Sequence, residues 1–109
     1  MCLAYQREHT DEPCFVISIA ARMVGLHAQT LRYYERVGLI WPSRTMGRQR
    51  LYSPADIERL RRIKTFTEDM GVNLAGAEVA LKLMARIDEL EQQVKTLSEA
   101  VNELRRRPG

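Results

Sequence analysis

The chain is poor in residues that build metal sites and redox centres. Among its 109 residues are two cysteines and two histidines. Cys2 and Cys14 lie in or beside the N-terminal stretch MCLAYQREHTDEP, and His9 and His27 stand apart from them and from each other. A zinc site usually takes four ligands at tight spacings, so neither a metal nor another cofactor is expected. The simplest reading of both cysteines is as reduced thiols, with Cys14 partly buried at the start of the fold. No apolar run approaches the ~18 residues of a membrane span. The first residues, polar and mixed in charge, do not read as a signal peptide, and a cytoplasmic protein without a membrane partner is expected. There is no pair of carboxylates, no nucleophile–base set and no phosphate-binding glycine loop, which argues against an enzyme.

What the chain does have is an uneven charge. The net charge is +3, but the segment from Arg22 to Lys64 holds ten Lys/Arg against three Asp/Glu, a net of +7. The remainder is therefore −4. A basic front half points to a polyanion as partner.

In that front half, CFVISIAARMVGL reads as a short helix. Ser18 can cap a helix that begins at Ile19, since its hydroxyl can accept an orphan backbone N–H, and Gly25 can stop it. A second helix is expected over residues 28 to 36, ended by Gly38. Two short helices joined through a glycine outline a helix-turn-helix. Ala21, four before Gly25, leaves room for two crossing helices. Ile17, Val24, Leu26, Leu31 and Tyr34 supply an apolar interior. On the second helix Gln29, Arg32, Tyr33 and Arg36 share one face, while Leu31, Tyr34 and Val37 point roughly the other way. An amide, two guanidinium groups and a phenol on one face suit base edges and phosphates.

LIWPSRTMGRQRLYSPAD follows, with apolar runs LIW and LY about a turn at Gly47. It reads as a β-hairpin carrying Arg44, Arg48, Arg50 and Tyr52, placed as a wing to clamp phosphates or enter a minor groove. Ser53 caps a third helix, with Pro54 in its first turn and Asp56 at the positive end of the dipole. Ile57, Leu60, Ile63, Phe66 and Met70 form its apolar stripe. Arg59, Arg61, Arg62 and Lys64 spread over its other faces, so only some can meet DNA. Gly71 ends it, and another helix begins at Val72 or Asn73.

From Ala80 a heptad sets in. Leu83, Leu90, Leu97 and Leu104 recur every seven residues, and Ala80, Ile87, Val94 and Val101 fill the alternate seam positions. A lone helix would expose this stripe, so a homodimer is expected, built on Leu83, Ile87, Leu90, Val94, Leu97, Val101 and Leu104. Branched residues at one seam position with leucine at the other favour a parallel pair. Parallel pairing would set Arg86 against Glu91 of the second helix, and antiparallel pairing would set Glu91 against Arg105, so charge leaves the direction open.

TLRYYERVGLI, then P-S-R, then RLYSPADIERLRRI together resemble the MerR family of bacterial transcription regulators over about residues 15 to 76. The resemblance implies a mainly α fold: a winged helix-turn-helix DNA-binding domain with a small β-hairpin wing, then a long C-terminal coiled-coil helix. It also implies an antiparallel coiled coil, against the local seam preference, and we follow it. FVISIAARMVGLHAQTLRYYERVGLI and GVNLAG are similar to the heat-shock repressors of that family, which bind inverted repeats and of which some use a DnaK-type chaperone as co-repressor.

The expected organisation is a flexible arm over residues 1–13, a DNA-binding domain over 14–76 and a dimerisation helix over 77–109. The expected DNA-binding residues are Ser18, Gln29, Thr30, Arg32, Tyr33, Arg36, Arg44, Arg48, Arg50 and Tyr52. The expected partners are double-stranded DNA with an inverted repeat, a second copy of the chain and a DnaK-type chaperone; the setting is the bacterial cytoplasm and nucleoid. One departure concerns the wing. Many such wings read Gly-Tyr-Arg, whereas here the run is Gly47-Arg48-Gln49-Arg50, so a loop of different shape is expected. The cysteines or ligand domain of metal- and drug-sensing relatives do not accompany this helix, so no such sensing is expected. The alternatives are a chaperone-recruiting adaptor, a promoter-untwisting activator and a DNA-bending accessory protein.

Overall fold

The computed structural model describes residues 11–108, and the expected N-terminal arm lies for the most part outside them. The chain divides into two compact units, Met1–Leu74 and Ala75–Gly109.

The first unit runs β1 (Phe15–Val16), α1 (Ile17–Val24), α2 (Ala28–Arg36), β2 (Ser43–Arg44), β3 (Arg50–Tyr52) and α3 (Pro54–Lys64), which continues into a π-helical turn (Thr65–Asp69). The strands form one antiparallel sheet in the order β1-β3-β2. Phe15 faces Tyr52 and Val16 faces Leu51, while Ser43 faces Leu51 and Arg44 faces Arg50. The hairpin is therefore real, but its first strand is Ser43–Arg44 rather than the LIW run. Leu39 and Ile40 of that run are buried and Trp41 is exposed.

α1 starts earlier than the serine suggested. Pairing with β3 holds Val16 extended, at φ −70° and ψ 160°, and the helix turns immediately after it. Ser18 thus falls inside the first helical turn, exposed, and α1 has no side-chain cap. Gly25 ends α1 at φ +72°, where its N–H and that of Leu26 both reach the Ala21 carbonyl. α2 spans Ala28–Arg36 as read from the sequence. At α3, the Ser53 hydroxyl accepts the Asp56 N–H at 3.0 Å and the Asp56 carboxylate accepts the Ser53 N–H at 2.9 Å. This reciprocal box, with proline in the first turn, satisfies donors that a helix start otherwise leaves open.

The core of this unit gathers Ala20, Ala21, Val24, Leu31, Tyr34, Leu39, Ile40, Tyr52, Ile57, Leu60 and Ile63. Each fully buried leucine or isoleucine contributes about 1.5–3 kcal/mol. Ile17 and Leu26 are half-buried. Val37 and Met70, expected inside, are 44% and 62% exposed because each lies past the last regular turn of its helix. Cys14 is half-buried, its N–H donates to the Tyr52 carbonyl, and it is disulfide-bonded, which corrects the reduced thiol expected. The other cysteine, Cys2, lies outside the described residues.

From its second residue on, α4 (Leu74–Arg106) makes up the second unit; it is a helix of 33 residues, about 50 Å long at 1.5 Å per residue. Leu83, Ile87, Leu90, Val94, Leu97, Val101 and Leu104 are 44–65% exposed. Such an apolar stripe on one helix marks an interaction surface. Local ion pairs hold its polar flanks, with Lys82 on Glu78 at 3.1 Å and Arg86 on Glu89 at 3.2 Å. No helix among the described residues is long and apolar enough to cross a membrane.

Candidate nucleic-acid interface

α2 presents what its periodicity dictated. Leu31 and Tyr34 are buried, and Gln29, Arg32, Tyr33 and Arg36 stand exposed on the opposite face, with Thr30 half-buried beside them. The four are ordered in pairs. Arg32 Nη1 donates to Gln29 Oε1 at 3.1 Å. The Arg36 guanidinium lies 5.4 Å from the centre of the Tyr33 ring, within reach of a cation–π attraction. Tyr33 leans on the anchored Tyr34 ring at 6.4 Å and 48°. A guanidinium already restrained loses less freedom when it docks on a base edge or phosphate.

The wing is organised by a residue the sequence reading passed over. Glu35, on α2, accepts from both strands of the hairpin. Arg50 Nε reaches Oε1 at 2.6 Å, and Arg44 Nη2 reaches Oε2 at 2.9 Å and Oε1 at 3.1 Å. Burial pushes the Glu35 carboxyl up, but the hydrogen bonds from Arg50 and Arg44 outweigh it and hold the group below its ordinary value. Arg44 also donates through Nη1 to the Arg48 carbonyl at 3.2 Å. An i,i+15 ion pair has no local sequence signature; the one available signal was an acid within an otherwise cationic face.

The run Gly47-Arg48-Gln49-Arg50 forms a defined turn. The Arg48 N–H donates to the Thr45 carbonyl at 2.8 Å, the Thr45 N–H donates to the Gln49 carbonyl at 2.9 Å, and Arg48 itself sits at φ +64°. This is a three-residue hairpin loop whose last position is left-handed, a place usually given to glycine. Arg48 occupies it at a cost of about 1–2 kcal/mol and is exposed.

Two expected DNA contacts are moved by the structure. Tyr52 is fully buried, because its strand is the central one of the sheet. Its hydroxyl has no hydrogen-bond partner, and burial, first among several influences, raises its pKa to about 12. It is a core residue, not a surface contact. Arg50 is an exposed cation only in part, with 24% of its side chain accessible and its Nε on Glu35.

The cations of α3 are largely occupied within the fold. Lys64 Nζ donates to the Val24 carbonyl at 3.1 Å and Arg61 Nη2 reaches the Met23 carbonyl at 3.5 Å, both at the C-terminal end of α1, where positive charge offsets the helix dipole. Arg59 Nε donates to the Leu39 carbonyl at 2.6 Å and its guanidinium lies 5.0 Å from the Trp41 ring centre. Arg62 pairs with Glu58 at 3.6 Å. Exposed cations stand on α2 as Arg32 and Arg36 and on the wing as Arg44 and Arg48. Among the described residues no cluster of His, Cys, Asp or Glu could hold a metal ion.

An exposed basic, aromatic second helix beside a basic hairpin defines a winged helix-turn-helix DNA-binding protein. Comparison with known proteins agrees. Residues 15–83 match the family described as MerR HTH family regulatory protein. The chain is 46% identical over 92 residues to the putative heat shock protein HspR of Streptomyces coelicolor, spanning 84% of this chain and 61% of that one. It is 33% identical over 96 residues to the HTH-type transcriptional regulator GlnR of Bacillus anthracis, spanning 85% of this chain and 74% of the relative. The crystal structure of HiNmlR, a MerR family regulator lacking the sensor domain, bound to promoter DNA, matches with a TM-score of 0.56 at 25% identity, over 84% of this chain and 76% of that one. A MerR family transcriptional regulator from Bacillus cereus shares the fold, with a TM-score of 0.56 at 22% identity over 87% and 85% of the two chains. The chain belongs to the MerR family of DNA-binding transcriptional regulators.

Proposed function

We propose that the protein is a dimeric, sequence-specific repressor of heat-shock or related stress genes that binds an inverted-repeat operator. The observation that carries the DNA-reading part is the face of α2: Gln29, Arg32, Tyr33 and Arg36 exposed together above buried Leu31 and Tyr34. In this reading α2 enters a major groove, Arg32 and Gln29 meet base edges, and Tyr33, Arg36, Thr30 and the wing residues Arg44 and Arg48 meet the backbone. The exposed stripe from Leu83 to Leu104 pairs with that of a second copy, in antiparallel fashion. Two-fold symmetry then calls for an inverted repeat, with half-sites separated as the paired helices dictate. The stress-gene assignment follows the similarity to the protein named HspR. A DnaK-type chaperone would act on the DNA-bound dimer as co-repressor, and the setting would be the bacterial cytoplasm and nucleoid.

Selection of duplexes from a random pool tests this directly. The selected sites should be palindromic. Affinity should fall by ~10³–10⁵ between 50 and 200 mM salt if the dimer covers ~6–10 phosphates. Leu97→Lys, at a seam position 65% exposed, should give a monomer in sedimentation and weaken operator binding. A pool without symmetry, or a wild-type chain that sediments as a monomer, rejects the proposal. Adding the chaperone to the operator shift tests the co-repressor.

A further inference from the structure

A carboxylate on a surface that meets a polyanion weakens binding by simple charge, yet Glu35 stands beside the most basic part of the molecule. Its contacts supply a reason. Among the described residues no backbone hydrogen bond joins α2 to the hairpin. The polar link between them is the Glu35 carboxylate, which takes one donor from β3, Arg50 Nε, and one from β2, Arg44 Nη2, shared between its two oxygens. Arg44 carries the restraint on, through Nη1, to the carbonyl of Arg48 at the loop. The side chains are 22% exposed for Glu35, 24% for Arg50 and 42% for Arg44. The Arg50–Glu35 half is partly desolvated and short, so its geometry is held more firmly than that of an exposed ion pair.

We propose that Glu35 is a specificity-determining positioning residue: it locks the wing to the recognition helix in one pose, and so exchanges general affinity for DNA for discrimination between sequences. The inference rests on the DNA-reading role of α2 given above. The physical logic is that two contact surfaces on one duplex must keep a fixed separation to be satisfied together on one site. A wing without that contact, still tethered by the pairing of β3 with β1, can adjust its outer strand and loop to phosphates beside more α2 poses, including those on wrong sequences. A wing fixed by Glu35 meets its phosphates only where α2 is seated correctly. Arg50 acts with Glu35, through its short Nε contact, and not as a phosphate ligand. Arg44 shares both duties because it keeps an accessible edge.

Charge and positioning predict opposite signs for one substitution, and this makes the test sharp. Glu35→Gln removes a negative charge and keeps the size of the side chain. The full-length chain is titrated against the duplex selected from the random pool and against a scrambled duplex of equal length, at several salt concentrations. Binding to the scrambled duplex should tighten, with a salt slope steeper by up to ~1 per protomer. Binding to the selected duplex should weaken, so that the ratio of the two affinities falls about tenfold, comparable to one mismatched base pair. Arg50→Gln should lower the ratio as well, without the general gain, and the double variant should lose no more than the larger single loss, because the two act as a unit. Should Glu35→Gln unfold at the assay temperature, Arg44→Gln carries the same fall in ratio. An affinity ratio equal to wild type in these variants overturns the inference, as does equal tightening on both duplexes. If the wild-type chain itself shows no preference for the selected duplex, it is the DNA-reading proposal that fails, and the two failures are distinguished before any variant is compared.

Discussion

Replacing Gly25 with alanine should cost about 2 kcal/mol of stability, twice the cost of the same change at Gly38, and the difference should belong to Lys64. Both glycines adopt positive φ, +72° and +83°. A left-handed alanine costs about 1–2 kcal/mol, offset by about 0.4–1 kcal/mol from the smaller freedom of alanine in the unfolded chain, which leaves roughly 1 kcal/mol at either site. At Gly38 nothing lies within 4 Å of an added Cβ, and that is the whole cost. At Gly25 the Cβ would stand 2.8 Å from Lys64 Nζ, the atom that donates to the Val24 carbonyl at 3.1 Å. The lysine tip can swing away, but it then abandons a charged hydrogen bond at the C-terminal end of α1, worth about 1 kcal/mol. Urea unfolding of the two alanine variants measures the difference, with the slope against denaturant expected unchanged. Repeating Gly25→Ala in a Lys64→Ala background should bring its cost down to that of Gly38→Ala, a coupling of about 1 kcal/mol. Equal costs at the two glycines, or no coupling to Lys64, would refute the assignment of Lys64 as the cap of α1.

Three further outcomes are expected. Tyr52→Phe removes a buried hydroxyl without a hydrogen-bond partner, so stability should stay level or rise by up to about 1 kcal/mol and operator affinity should not change; a clear loss of DNA binding in a gel shift would return Tyr52 to the interface. Arg48→Gly relieves the strain at φ +64° and should stabilise the fold by roughly 0.5–1 kcal/mol while weakening DNA binding. Arg48→Ala should weaken binding to the same degree without the stabilisation, so equal melting temperatures for the two variants would count against a left-handed Arg48. The Glu35 carboxyl is held below its ordinary value of 4.5, so its contribution is complete above that value and is lost as pH falls through the depressed one. The difference in melting temperature between wild type and Glu35→Gln should therefore be constant near neutrality and shrink only below about pH 4.5; a difference that fades already at about pH 6 would place the loss elsewhere.

The sequence by itself determined those features whose physics is contained within a few residues. α2 runs from Ala28 to Arg36 with its polar face outward, because side chains at i, i+3 and i+4 share a side of a helix. The Ser53 cap with Pro54 in the first turn lies within four consecutive residues and was legible for the same reason; that Asp56 returns the hydrogen bond is seen in the structure. So was the heptad stripe of α4, which the structure leaves exposed. What escaped was set by partners distant along the chain. A two-residue strand such as Phe15–Val16 has no periodicity of its own; it exists because Tyr52 and Leu51 lie beside it. That pairing moved the start of α1 ahead of Ser18 and made β3 central, which buried Tyr52. Spacing alone showed that only some of the basic residues of α3 can meet DNA; the fold decided which, because the end of α1 took up Lys64 and the Leu39 carbonyl beyond α2 took up Arg59. Glu35, with one carboxylate between two strands of the wing, was the acid that a count of charges treats as a subtraction. Local spacing decides which side chains share a face, whereas only the packed chain decides which charges are spent holding it together and which remain for DNA.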